Sequence, residues 1–297
     1  MTRALQKIRE GGIRGFLIAC ALLSVLTTAG IIWVLVSESA PFFAAVPLRE
    51  YALGLKWEPL LDPRKFGLLP LVCGTVLVAG GALLVGVPIG LATAIFMSEY
   101  APGWLRQIAK PVLEILAGIP SVVYGYFALL FVTPFILRPL IPSTEVFNAA
   151  SAAIVVGVMI IPTIASLGDD ALRAVPRTLR EAAYALAATR LEVSTRVVLP
   201  GALSGVVAAC LLALARAIGE TMAVALAAGM RPRLTGNPFE SVQTMTGYIV
   251  QVSMGDTPRG TIEYQTIFAV GLSLFLITLI VNLVAQRVLR RFREAYE

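Results

Sequence analysis

Six stretches of this chain stay apolar for longer than a soluble core requires. Leu68–Met97 runs thirty residues without an Asp, Glu, Lys or Arg. Crossing about 30 Å of hydrocarbon takes about 20 helical residues. Phe16–Val36, Leu68–Met97, Val112–Ile136, Val146–Leu167, Ala202–Met230 and Ile267–Leu289 all meet that length. With 58% hydrophobic and 14% charged residues, lipid must solvate much of the surface. The pattern predicts an all-α integral membrane protein with six transmembrane helices. The second and fifth stretches are overlong and predicted to tilt, bend or continue beyond the bilayer. Val87-Pro88-Ile89-Gly90, Ala117-Gly118-Ile119-Pro120 and Ile161-Pro162 lie inside spans. Their freed backbone groups need partners from neighbouring helices or water, so these spans face protein.

The first span follows Arg3, Lys7, Arg9 and Arg14. A cleaved signal peptide has the same basic start, but its apolar core is only about 7–15 residues long. The longer run here predicts an uncleaved span. Of the 24 Lys and Arg, Arg216 lies within a span; with the N-terminus inside, fifteen fall on inner flanks and eight on outer ones. That bias places both termini in the cytoplasm. Two outer segments, Ser37–Phe66 and Arg231–Tyr264, mix turn residues with hydrophobics and read as compact caps. Two uses remain open for them: shielding span ends or receiving an external protein. The chain divides into 1–66 (tail, first span and outer segment) and 67–297 (a core of five spans).

Several function classes are excluded. The chain has no histidine, the commonest general base and metal ligand. Cys20, Cys73 and Cys210 lie apart in apolar runs and read as small hydrophobes. Basic residues are scattered over loops and ends rather than one face, which argues against nucleic acid. No lysine follows a glycine, so no phosphate-binding loop is present.

The segment 169–200 is polar and rich in helix formers. Asp169 and Asp170 close the fourth span, and Pro176 stands where a first helical turn accepts proline. Leu179, Ala183 and Leu186 make a narrow apolar stripe, while Arg177, Arg180 and Glu181 point elsewhere. Periodicity alone fits either a partner-docking helix or an amphipathic helix on the inner leaflet. The motif decides further. Glu181-Ala182-Ala183, three residues, Ala187, nine residues, then Val197-Val198-Leu199-Pro200 resembles the EAA loop of type I ABC importer permeases. The family has glycine where Ala187 stands. Alanine suits that position if the backbone is helical and is strained if the turn needs a positive φ. The resemblance implies the MetI-like permease fold, with this loop as a coupling helix seated in a partner ATPase. It assigns coupling to Arg180, Glu181, Ala182, Ala183, Ala187, Leu199 and Pro200, and leaves ATP and Mg on the partner.

One span carries opposite charges within its apolar length: Arg216-Ala217-Ile218-Gly219-Glu220. Arg216 lies sixteen residues beyond Pro200, about 24 Å along a helix, near mid-depth. Glu220 is expected one turn further on the same face, as an i,i+4 pair. The structural alternative is self-neutralisation; intramembrane charges otherwise mark a substrate path. Arg216 suits an oxyanion, with Glu220 holding it when the site is empty. Arg216-Ala-Ile-Gly-Glu220-Thr-Met-Ala-Val is similar to the fifth-span motif of phosphate-specific (Pst) importer permeases. Phe66-Gly67-Leu68-Leu69-Pro70-Leu71 with Gly74-Thr75, and Ala117-Gly118-Ile119-Pro120-Ser121 through Tyr124-Gly125, resemble the same family. The long first outer segment resembles the PstC-type subunit rather than the PstA-type.

This resemblance implies phosphate import with a PstA-like second permease, a PstB-like ATPase dimer and a periplasmic PstS-like binding protein. The residues alone leave other oxyanions open. A stand-alone secondary oxyanion transporter would show inverted repeats and coupling carboxylates; no repeat is evident, and Glu114 and Glu220 are the only acids in the spans. An intramembrane enzyme would need a nucleophile motif or ligand cluster that is not there.

Overall fold

The computed structural model describes the backbone of residues 3–292 and the side chains of residues 10–287. Arg3, Lys7, Arg9, Arg290, Arg291 and Arg293, counted above to the inner side, lie outside the described side chains. Helix α1 (Arg3–Ala45) exposes apolar side chains all along Phe16–Val36 and lies along the last helix, α14 (Ile262–Phe292). Then come α2 (Leu48–Leu53) and a small antiparallel hairpin of β1 (Trp57–Glu58) and β2 (Lys65–Phe66). Helix α3 (Leu69–Ile95) ends in a π-helical turn, Phe96–Tyr100. After α4 (Gly103–Ala117), α5 (Ser121–Phe127) continues as a π-helical stretch, Ala128–Leu137, into α6 (Arg138–Leu140). Helix α7 (Ala149–Ala174) precedes α8 (Arg177–Ala185) and α9 (Arg190–Val193). A π turn, Ser194–Val198, and α10 (Leu199–Gly201) lead to α11 (Leu203–Gly219), α12 (Met222–Ala227) and α13 (Met245–Ser253).

Among the described residues, five helical stretches are long and apolar enough to cross a membrane: Glu10–Ala45, Leu69–Tyr100, Ser121–Leu140, Ala149–Ala174 and Ile262–Arg287. The sixth crossing is bent: Arg190–Gly201 meets Leu203–Gly219 at 72°. Six crossings were expected, but two differ from their expected form. Val112–Ile136 is not one helix. Pro120 is extended (φ −58°, ψ 135°), and a proline also pushes its predecessor out of the α region. The chain therefore breaks at Gly118–Pro120, leaving α4 as a separate amphipathic helix with no buried residue. The fifth stretch breaks as well, at Glu220–Thr221.

The α3–α7 pair forms the spine. Without a strong hydrophobic drive between helices in lipid, close backbone approach and dispersion hold them together, which favours small residues. A Cβ on Gly86 would lie 2.6 Å from Ile160 Cγ1, and one on Gly157 would lie 2.8 Å from Val85 Cβ and 3.0 Å from the Ala82 carbonyl oxygen. Val78, Ala82, Val156, Ile160 and Ile164 are buried around this seam. A second core gathers at the cap end, where Phe42, Tyr51, Trp57, Phe66 and Tyr248 are buried together. Phe42 meets Tyr51 and Phe66 edge-to-face at 5.4 Å, and Trp57 meets Tyr248 at 5.0 Å. Tyr51 also donates to the Ala269 carbonyl at 3.0 Å. The first outer segment thus packs on α13 and the start of α14.

Charge pairing fixes α4 to α7. Arg106 Nη2 reaches Asp169 Oδ2 at 2.5 Å, with Asp169 fully buried, and Lys110 Nζ reaches Asp170 Oδ1 at 3.2 Å. Asp169 and Asp170 therefore do not end the helix, which runs on to Ala174. Replacing Gly157 with Leu should lower the stability of the detergent-solubilised protein by about 2 kcal/mol through overpacking. Gly80→Ala, where an added Cβ meets nothing within 4 Å, should leave the thermal midpoint unchanged or raised.

Candidate functional site

Two regions carry the residues singled out from sequence. The first is the surface around α8. Pro176 precedes α8 in extended conformation (φ −55°, ψ 139°) and Arg177 begins it. Arg180 turns inward. Its Nη1 donates to the Val175 carbonyl at 2.5 Å, while Nη2 donates to the Leu172 carbonyl at 2.7 Å and to Glu99 Oε1 at 3.1 Å. One guanidinium thus binds two carbonyls at the C-terminal end of α7, where the intrahelical ladder runs out, with Leu172 also accepting from the Val175 N–H at 3.4 Å, and pairs with an acid at the end of the α3 crossing. Glu99 is a partner the sequence reading missed. The clue was an acid just past a long apolar run.

Glu181, Ala182, Tyr184 and Ala185 are exposed, and Leu186 is 85% exposed. Leu179 and Ala183 instead pack on a small core of Leu172, Val175, Val193 and Val198. The expected stripe is therefore split: Leu179 and Ala183 fasten the helix, while Leu186 projects from its end. A recess of about 500 Å³ beside the helix is lined by Arg173, Arg177, Glu181 and Tyr184, among others.

Ala187 decides how α8 stops. The Ala188 N–H donates to the Ala183 carbonyl at 3.2 Å and the Ala187 N–H to the Tyr184 carbonyl at 2.9 Å. This is the Schellman pattern, which puts a left-handed residue just past the helix. Ala187 has φ 61°, the only positive value at a non-glycine position among the described residues. The backbone is therefore not helical there, and alanine occupies a conformation that suits glycine. Next, Thr189 caps α9: its N–H and hydroxyl each donate to Glu192 Oε2 at 2.9 Å. Leu199 packs half-buried on the same small core, and Pro200 sits exposed in α10, directly after the π turn Ser194–Val198.

The second region is the junction of two helix breaks. Arg216 stands in the last turn of α11, where a cation complements the helix C-terminus. It is exposed. Its Nη1 donates to Thr163 Oγ1 at 3.1 Å and its Nη2 to the Ala117 carbonyl at 3.5 Å. Tyr124 spans the same break, donating to the Leu116 carbonyl at 3.0 Å. The expected Arg216–Glu220 ion pair is not formed, because α11 ends at Gly219 and Glu220 is extended (φ −65°, ψ 132°). Glu220 Oε1 instead accepts from the Ala223 N–H at 3.2 Å, at the start of α12. The Glu220 carbonyl accepts from Thr246 Oγ1 at 2.8 Å. Thr246 belongs to α13, so the cap end reaches the break directly. Thr163 and Thr246 were not foreseen; isolated threonines in apolar sequence carry no distinctive pattern.

This architecture has relatives. The family described as "Binding-protein-dependent transport system inner membrane component" matches residues 86–294. The chain belongs to that family. It is 36% identical over 283 residues to the probable ABC transporter permease protein YqgH of Bacillus subtilis, covering 93% of this chain and 91% of that one. It is 32% identical over 315 residues to the phosphate transport system permease protein PstC of Mesorhizobium japonicum, covering 97% and 95%. Among solved structures, a bacterial ABC transporter involved in the import of the acidic polysaccharide alginate superposes with a TM-score of 0.64 at 16% identity, covering 99% of this chain and 100% of that one. The MetNI methionine ABC transporter gives 0.57 at 19%, covering 77% and 95%. These structures establish the permease fold. As a family member, the chain is a multi-pass inner-membrane transport subunit of an ABC importer.

Ala187→Gly should relieve the left-handed strain and raise stability by about 1 kcal/mol, read as a higher thermal midpoint for the purified permease. A midpoint lowered by the substitution would contradict the assigned turn.

Proposed function

We propose that this chain carries inorganic phosphate inward as the PstC-type permease of an ABC importer, itself without catalytic activity. The observation that carries the reading is the guanidinium of Arg216. It is exposed in the last turn of α11, within an apolar run, and bonded to neutral acceptors rather than to a carboxylate. Holding a charge inside a bilayer costs about 2.5–3.5 kcal/mol on insertion scales, so such a residue faces a water-filled path or partner protein. Its planar fork suits the oxygens of an oxyanion. A lone guanidinium would serve sulfate as well; the PstC names of its relatives favour phosphate.

The remaining parts follow from this reading. A PstA-like permease completes the pathway, and a periplasmic PstS-like protein delivers phosphate to the cap end. A PstB-like ATPase dimer binds ATP and Mg²⁺ and seats the exposed Glu181–Leu186 surface. Both termini lie in the cytoplasm. Because Arg180 ties α8 to α7 and to the α3 crossing, movement of the ATPase reaches the spans through a stiff connection. Glu220, capping α12, holds the broken crossing in register beside Arg216.

Two substitutions test the reading in proteoliposomes containing the whole complex. Glu181→Lys should abolish ATP-dependent phosphate uptake while the permease stays inserted. Arg216→Gln should stop translocation with the ATPase still bound. Undiminished uptake in Glu181→Lys rejects coupling through this loop, and undiminished uptake in Arg216→Gln reduces the arginine to a structural residue.

A further inference from the structure

The Arg216 site holds a second hydrogen-bonding group whose donor is unused. Thr163 follows Pro162 in α7, is half-buried, and offers its hydroxyl oxygen to Arg216 Nη1 at 3.1 Å. Helical threonines ordinarily spend their hydroxyl proton on the carbonyl four residues back. Thr27, Thr75 and Thr93 each do so at 2.8 Å, and Thr278 at 2.9 Å. Among the described residues, Thr163 makes no such bond. Its oxygen accepts from the guanidinium while its O–H remains free to donate.

We propose that Thr163 is a second ligand of the translocated oxyanion and the positioning residue for Arg216. The inference rests on the reading of Arg216 as the anion-handling group. The Ala117 carbonyl is the longer of the two Arg216 contacts, at 3.5 Å, and carries no charge, so an anion oxygen, which adds direct charge attraction and suits the planar guanidinium fork, displaces it from Nη2. A neighbouring oxygen of the same tetrahedral anion accepts the free Thr163 O–H. The Nη1–Thr163 bond orients the guanidinium for this two-point contact. Loading the site also releases Arg216 from Ala117, at the Gly118–Pro120 break. Anion capture therefore loosens the Gly118–Pro120 break that the arginine holds.

The test uses the complete complex in proteoliposomes with radiolabelled phosphate, comparing Thr163→Val, Thr163→Ser and Arg216→Gln. Valine keeps the shape and removes the hydroxyl; serine restores it. Thr163→Val should lower the maximal uptake rate about tenfold, the loss of one bond to a charged group. The concentration of loaded binding protein giving half-maximal rate should not change. Thr163→Ser should recover the rate to within about twofold of the parent. Wild-type flux in Thr163→Val, with Arg216→Gln inactive, overturns the role of Thr163 and leaves the reading of Arg216 standing. Wild-type flux in both overturns both. A serine variant that assembles but fails to recover also overturns the proposal, since the deficit would then be one of packing.

Discussion

Inside hydrocarbon a backbone N–H or C=O has no water to turn to, so every break in a spanning helix must find its partners within the protein. This chain breaks its helices twice among the apolar runs, at Gly118–Pro120 just before the Ser121–Leu140 crossing and at Glu220–Thr221. Polar side chains close both. Tyr124 and Arg216 serve the carbonyls at the first break; Thr246, Thr221 and the Glu220 carboxylate serve the second. The groups that make the breaks tolerable are therefore also the polar groups gathered beside Arg216 and Glu220. An anion pathway needs such groups, and the requirement of backbone satisfaction gathers them in one place. The tight α3–α7 seam, a rigid wall of small residues, supplies the frame against which broken helices can be held.

The same economy runs through the docking surface. Arg180 does three things with one guanidinium: it finishes α7, pairs with Glu99 and orients α8. The exposed Glu181-Ala182 face is consequently presented on a helix that cannot swing freely. Helix α7 carries Thr163 in its middle and ends under α8, so under the proposed coupling a displacement of α8 would reach the Arg216 site along one helix. That continuity is a physical basis for linking partner movement to cargo release without any intervening flexible joint.

Much of this was legible from sequence because its causes are local. Span number followed from apolar length, and the Glu181-to-Pro200 spacing located the helix that projects from the bundle. The Ala187 ambiguity was posed correctly: the answer depended on one φ angle, which the Schellman bonds set. What failed was long-range or depended on a break. The Arg216–Glu220 pair assumed helical continuity through Gly219, where two extended backbone angles at Glu220 redirect the side chain. Val112–Ile136 looked like one span because leucine, isoleucine and valine dominate it on both sides of Pro120. Arg180 was grouped with its exposed neighbours because a sequence does not reveal that Glu99, eighty-one positions earlier, waits beneath it. The Arg106–Asp169 pair was hidden for the same reason.

The central claim is that Arg216 faces an aqueous path in the assembled transporter. Solvent access at that position tests it most directly. Cys20, Cys73 and Cys210 are replaced by serine or alanine, Arg216→Cys is introduced, and the complex is treated with a membrane-impermeant anionic methanethiosulfonate. The account predicts that the thiol reacts from the aqueous phase and that phosphate-loaded binding protein with ATP changes the rate. Modification only by a lipid-soluble maleimide, at a rate unaffected by either addition, would contradict it.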